Sequence, residues 1–285
     1  RFDTSKVTNM SSLFCSCYSL TSIDLTTLKT SNVKDMSHLF QNCFGLKSLD
    51  LNNLDTSKVE NMNYMFDSCN SLETLNIQKI DTSKVKYMKQ IFYRCTSMES
   101  FDLSTLDTSE VIDMEGMFDF CSNVKYLDLS HFDTSKVKDM SFLFAASSKL
   151  TSINLSSFNT KQVISMSHMF YGCHSLISLD LSSFDVSNLD AMWLMFNECK
   201  SIKYLNLSNF YTSKTTIMGG VFSKCYNLTT LDIRNFDTST LAYKETNLFT
   251  DISLNGTIYY NSQKFNKSLL NFYRINSWTK IDVTN

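Results

Sequence analysis

The stretch FDTSKVKDMSFLF, residues 132–144, is one copy of a phrase whose recurrence decides the fold. With variation, [FLI]-D-T-S-K-V-x-x-M begins at Phe2, Leu28, Leu54, Ile80, Leu106, Phe132, Phe158, Phe184, Phe210 and Phe236, each start 26 residues after the last and without insertion. Self-similarity at a fixed period of this length is the mark of a solenoid. Those starts define coils 1 to 10.

In a solenoid, equivalent residues of successive coils stack on one another, so each column of the alignment has one structural role. Met10, Met36, Met62, Met88 and their successors form one column, and Phe14, Phe40, Phe66, Phe92 and theirs another. Val7, Met10, Phe14 and Cys17 lie at offsets 0, 3, 7 and 10, the spacing of one helix face, which predicts a helix over about Ser5 to Cys17. The second half of each repeat follows L-x-x-L-x-L, as in Leu20, Ile23 and Leu25, and its alternation predicts a short strand. The expected fold class is therefore an α/β repeat solenoid, leucine-rich-repeat-like. It would be a right-handed coil with a parallel sheet on one face and short helices on the other. At a strand spacing of about 4.8 Å, nine complete turns would make a curved rod on the order of 45 Å long.

Beyond about Asp237 the pattern fails, with Asn247, Leu248 and Phe249 out of step. Thr257 to Tyr260 and Trp278 to Val283 read as strands and Lys267 to Arg274 as a short helix. The last coil of a solenoid exposes an apolar cross-section, so residues 251–285 are expected to cap a solenoid spanning 1–250.

Composition narrows the function classes. With 26 basic and 28 acidic residues the net charge is −2, which gives no electrostatic footprint for nucleic acid. No apolar run reaches the length of a transmembrane segment. The opening RFDTSKVTNM is not a signal peptide; it already lies inside a repeat, so the natural chain is expected to continue on its N-terminal side. There is no proline and only six glycines, so Asn, Asp, Ser and Thr must make the turns through local side-chain hydrogen bonds.

The strings FDTSKVKDMSFLF, FNTKQVISMSHMFYGCHSL and LDLSSFDVSNLDAMWLMFNECKSIKYLNLS resemble the BspA-like leucine-rich-repeat family, in its 26-residue branch from surface proteins of mycoplasmas, other low-GC bacteria and some protists. The likeness covers roughly residues 1 to 250, and the tail, with GTIYY and SWTKIDV, is similar to closures that follow such arrays. The resemblance implies an extracellular, envelope-attached protein of adhesion or host interaction. It implies no particular ligand.

Eight of the nine cysteines, Cys17, Cys43, Cys69, Cys95, Cys121, Cys173, Cys199 and Cys225, share one column, in which Ser147 fills the remaining place. A small residue beside the packed Phe column reads as a buried inter-coil ladder, since free Cys behaves as a small hydrophobe. Replacing Cys95 with Ser would then cost about 1–2 kcal/mol through an imperfectly paired hydroxyl. Without paired C-x-x-C motifs no metal is expected, and no cofactor. Among the histidines, His38 and His168 share a column but lie roughly 24 Å apart at one strand spacing per coil, while His131 and His174 fall in other columns. Nothing singles out a catalytic group, so the chain is read as no enzyme.

Two acidic columns remain. Asp3, Asp55, Asp81, Asp107, Asp133, Asp185 and Asp237 precede T-S-K-V and are expected to cap the helix entrance, with Asp, Thr and Ser all eligible as the cap. Asp24, Asp50, Asp102, Asp128, Asp180 and Asp232, interrupted by Asn76, Asn154 and Asn206, occupy the outward strand position. That column is either a solvated, solubilising face or a face for a basic peptide, glycan or calcium ion. Tyr126 and Tyr204 interrupt the hydroxyl column beside it and supply aromatic anchors. The expected function is a non-enzymatic cell-surface binding or adhesion module, contacting a protein or glycan, including a host surface or extracellular matrix. The footprint would centre on Tyr126, Asp128, Asp180 and Tyr204 of the concave sheet face. An intracellular, cytoplasmic interaction scaffold is the alternative, since unpaired cysteines suit a reducing compartment.

Overall fold

The computed structural model describes residues 3–241, 247–271 and 273–284; Phe2, at the first repeat start, and Asn285 lie outside them. It is a stack of coils in which parallel bridges join each rung to the next, from Asn9↔Asp35 through Ala191↔Ile217, always 26 residues apart. Nine rungs are linked in this way.

The predicted helices are not formed. Among the described residues there is no α-helix, only two 3-10 helices in the tail, Lys267–Asn271 and Tyr273–Ser277. In place of a helix, the Met–Phe–Cys segment is a run of overlapping turns whose N–H groups alternate in direction. Met10, Ser12, Phe14 and Ser16 donate to Asp35, Ser37, Leu39 and Gln41 of the next coil at 2.7–3.0 Å, while Leu13, Cys15 and Cys17 donate three residues back in their own coil. The third residue of the first and last of these turns takes a left-handed conformation, as at Ser12 (φ 59°) and Ser16 (φ 60°), and the columns below repeat it. Only Gly116, Gly172 and Gly220 meet that demand without a Cβ.

Stacking distance is the physical reason a helix is excluded. Successive Phe rings, from Phe40–Phe66 at 6.2 Å to Phe196–Phe222 at 6.0 Å, pack nearly face to face. A helix with its side chains is roughly 10–12 Å across, about twice the room each coil has. Offsets of 0, 3, 7 and 10 are met equally by consecutive turns that return every third or fourth side chain to the core. The bulk of outer helices, which would make the sheet the inner curve, is absent.

The strand side is less regular than the turn side. β1 (Ser48–Asp50) pairs with β2 (Thr74–Asn76), β3 (Tyr126–Asp128) with β4 (Ser152–Asn154), and β5 (Tyr204–Asn206) with β6 (Thr230–Asp232), all parallel. The expected continuous sheet is thus divided into these doublets, the last of them extended by the tail: Ser100–Asp102 of coil 4 and Ser178–Asp180 of coil 7 form no strand and, among the described residues, no backbone ladder to either neighbour. At coil 4 the inner column holds Phe101 in place of an aliphatic residue, and its ring packs on Phe92 at 4.8 Å and Phe118 at 5.6 Å. No comparable substitution accounts for coil 7.

The tail rejoins the array after a one-residue shift. Phe222 and Lys224 donate to Leu248 and Thr250, and Phe249, out of step in the sequence, extends the ring stack at 5.7 Å from Phe222. The shift persists in β7 (Thr257–Tyr260), where Thr230 pairs with Thr257, and β8 (Thr279–Asp282) then closes a four-stranded sheet.

Candidate functional site

The coils turn at up to three Asx corners, each made by a carboxylate or amide that accepts the N–H two residues on. At the first, Asp107, Asp133 and Asp185 accept from Ser109, Ser135 and Ser187 at 2.9 Å. The capping expected of this column is present, on a turn and not on a helix, and Asp is the cap. Thr plays a different part, as buried Thr108 Oγ1 donates to Asp133 O at 2.9 Å and accepts from Asp133 N at 2.8 Å, stitching one coil to the next. The second corner was missed in the sequence, although it is written there as the Asn or Asp preceding Met10, Met36, Met62, Met114 and Met140. Asn9, Asp35, Asn61, Asp113 and Asp139 accept from the residue two further on at 2.7–3.0 Å.

The third corner is the outward strand column. Asp50, Asp128 and Asp180 accept from Asn52, Ser130 and Ser182 at 2.9–3.1 Å. The column is therefore a row of strand-ending turns as well as a charged face, which explains why Asn154 and Asn206 replace Asp without loss. Hydrogen bonds from the Ser130 hydroxyl and N–H hold Asp128 below the usual carboxylate range, and those from Ser182 do the same for Asp180. Asp232 differs: it is buried and clasped by Arg234 through Nε and Nη2.

Tyr126 and Tyr204 stand on the outer side of β3 and β5, 51% and 55% exposed. They occupy equivalent positions three coils apart, about 14 Å at one strand spacing per coil. Asp128 shares β3 with Tyr126, and Asp180 lies in the unpaired coil 7 between the two tyrosines, beside a shallow cavity of about 140 Å³ that Asn154, Ser156 and Ser182 also line. All four predicted residues sit on one polar face, separated along it and not converging on a point. Among the described residues, no group of three or more His, Cys, Asp or Glu is arranged to hold a metal ion.

The cysteine column is buried from Cys43 to Cys225, and each thiol donates to the carbonyl of the Phe of the preceding coil, as Cys95 does to Phe66 at 3.3 Å. Burial pushes the Cys43 thiol up to about 11 and that of Cys225 to about 12, so neither is a thiolate near neutral pH. Cys17, on the first coil, is exposed. Ser147 makes the same bond to Phe118 at 2.8 Å. A hydroxyl in this slot is fully paired, so the cost expected of Cys95→Ser falls below about 1 kcal/mol.

The histidines are absorbed into surface packing. His168 stacks on Phe142 at 4.3 Å and meets Trp193 edge-on at 4.9 Å, and His174 joins Lys200 and Lys224 around Glu198.

Comparison with known proteins places this arrangement in a class. The family described as Mycoplasma protein of unknown function, DUF285, matches residues 1–101, 88–210 and 177–285. The chain belongs to that family. No curated protein matches it. Among solved structures, a crystal structure of the TLR13–ssRNA13 complex is similar at 14% identity and TM-score 0.29, over 88% of this chain and 42% of that one. The functional domain of InlJ from Listeria monocytogenes, described as including a cysteine ladder, is similar at 17% identity and TM-score 0.21, over 90% of this chain and 65% of that one. The chain thus spans less than two thirds of either, and at these scores neither likeness bears on function.

Proposed function

We propose that this chain is a non-enzymatic macromolecule-binding module of the cell surface, belonging to the BspA-like branch of its family. In this reading it engages a protein or glycan partner through the strand face, around Tyr126, Asp128, Asp180 and Tyr204. The observation that carries the reading is the tyrosine pair: two large rings half exposed at equivalent strand positions on a largely polar face, with Ile177 exposed on coil 7 between them. Aromatic side chains in such settings are the usual energetic anchors of recognition. Among the described residues the coils offer repeated corners and no singular constellation of acid, base and nucleophile. Residues 251–285 act as the C-terminal cap: Leu270, Ile275 and Trp278 are buried, and Trp278 Nε1 donates to Ser253 O at 3.0 Å.

Two measurements test this proposal. Protease shaving of intact source cells should release the module if it is displayed, and its protection would favour the intracellular scaffold. Binding to immobilised extracellular-matrix proteins and glycans, followed by interferometry, should weaken about tenfold or more in a Tyr126→Ala/Tyr204→Ala variant with little change in melting temperature. Unchanged binding in that variant, with loss on Trp193→Ala, would move the site to the turn face.

A further inference from the structure

The strand face is indented over coils 1 to 4, away from the tyrosine pair. One depression of about 410 Å³ is lined by Ile23, Leu49, Leu75, Asp50, Asn76 and Asp102, among others. A second of about 200 Å³ shares Leu75 and Asp102 with it and adds Glu73, Met98 and Phe101. Together they form a groove across the face where the sheet is broken.

Three features of this groove define what fits it. Its floor is apolar: Leu75 and Phe101 belong to the inner column, yet both remain partly exposed, because the strands that would seal over them are unpaired. Its walls offer extended backbone, since β2 is bonded only to β1 and Ser100–Asp102 has no inter-coil backbone ladder among the described residues, the Asp102 carbonyl alone accepting from a side chain, Gln78 Nε2, at 3.3 Å. Its rim is acidic: Asp50, Glu73 and Asp102 are exposed, and none has a cation within 4.0 Å among the described residues. Lys47 stands in the column of Glu73, one coil before it, and His131 of coil 5 acts on Asp102 electrostatically.

We infer that this groove binds an extended basic polypeptide segment, with lysine or arginine side chains on Asp50, Glu73 and Asp102 and an apolar side chain over Leu75 and Phe101. An extended chain satisfies open backbone groups as an added strand does, while pockets select alternate side chains. The uncompensated carboxylates choose the charge of the partner. A sugar polymer fits less well, because Phe101, the one ring lining these depressions, is only partly exposed and is already packed on Phe92 and Phe118. The groove is independent of the tyrosine site.

The test uses a short fluorescein-labelled peptide alternating Lys and Val, and its Glu–Val counterpart, titrated against the whole chain by fluorescence anisotropy. The basic peptide should bind and the acidic one should not. The variant Asp50→Asn/Glu73→Gln/Asp102→Asn should weaken binding by about tenfold or more. Its fold is safeguarded because Asn already stands in the column of Asp50 and Asp102, at Asn76, Asn154 and Asn206, and Glu73 is exposed. Asp128→Asn/Asp180→Asn and Tyr126→Ala/Tyr204→Ala should leave the affinity unchanged. Equal binding of the two peptides, an unaltered affinity in the triple variant, or an equal loss in the Asp128/Asp180 variant would overturn the proposal, the last by showing diffuse attraction to an acidic surface.

Discussion

Asp119 shows how a repeat stores an exception. Its column also holds Gln41, Asp67, Tyr93 and Ala145, and Asp67 is satisfied by Gln41 Nε2 at 2.6 Å and Ser68 Oγ at 2.7 Å. Asp119 Oδ1 is buried without a hydrogen-bond partner. Burial raises its carboxyl from the ordinary 3.8 to about 7, against the lowering influence of the Phe120 N–H and Arg94, with Glu115 adding to the rise. A folded-state value above the unfolded one means the fold binds the proton more tightly. The stabilisation is therefore complete below about pH 4 and is lost as pH rises through about 7. Melting temperatures across that window should fall with pH in the parent chain, and the fall should flatten in Asp119→Asn. A parent and variant with parallel pH profiles would show that Asp119 titrates normally.

The element that holds successive coils together on the first corner is the threonine stitch. Thr108→Val keeps the shape but removes both bonds to Asp133, leaving a part-buried N–H and C=O short of a partner, for a cost of about 1–3 kcal/mol. Urea unfolding midpoints would measure it, and a loss no greater than that of an exposed Ser→Ala change would mean water replaces the hydroxyl. The chain carries its own comparison at coil 8, where Val186 occupies this position and is buried. That coil makes no such stitch, and a Val186→Thr variant should gain stability if the next coil presents its backbone as the others do.

Across the whole molecule the two sides of the stack differ in continuity. Bridges on the turn side run through every junction from Asn9 to Ile217, whereas the strand side is paired in doublets and interrupted at coils 4 and 7. In a linear array each coil is stabilised by its neighbours alone, so local opening should follow this pattern. Hydrogen exchange should be fast at residues 100–102 and 178–180 and slow at Met88, Phe92, Met166 and Phe170, whose N–H groups bond to the next coil. Uniform protection along the strand side would show that the sheet is continuous in solution. The doublets begin at coils 2, 5 and 8, which carry Lys47, Lys125 and Lys203 at one position and Ser48, Tyr126 and Tyr204 at the next, a three-coil order superimposed on the single repeat.

Amino-acid order alone determined the 26-residue register of the linked rungs and most of the buried columns, though not that Cys17 on the first coil is exposed or that the tail rejoins with a one-residue shift. A strict period with one residue type per column can be satisfied only by stacking like on like, and the Phe, Met and Cys columns were legible for that reason. It also placed Tyr126 and Tyr204 outward, through the alternation of a strand. The sequence did not distinguish a helix from a run of turns, because both return side chains to the core at offsets of 3 and 4. Coil spacing decided between them, and spacing exists only once coils are stacked. Nor did it reveal that the outward Asp column makes corners, that Thr bonds forward to the next coil, or that coils 4 and 7 leave the sheet. Those depend on backbone groups of the adjacent coil, about 26 residues away in sequence and one strand spacing away in space.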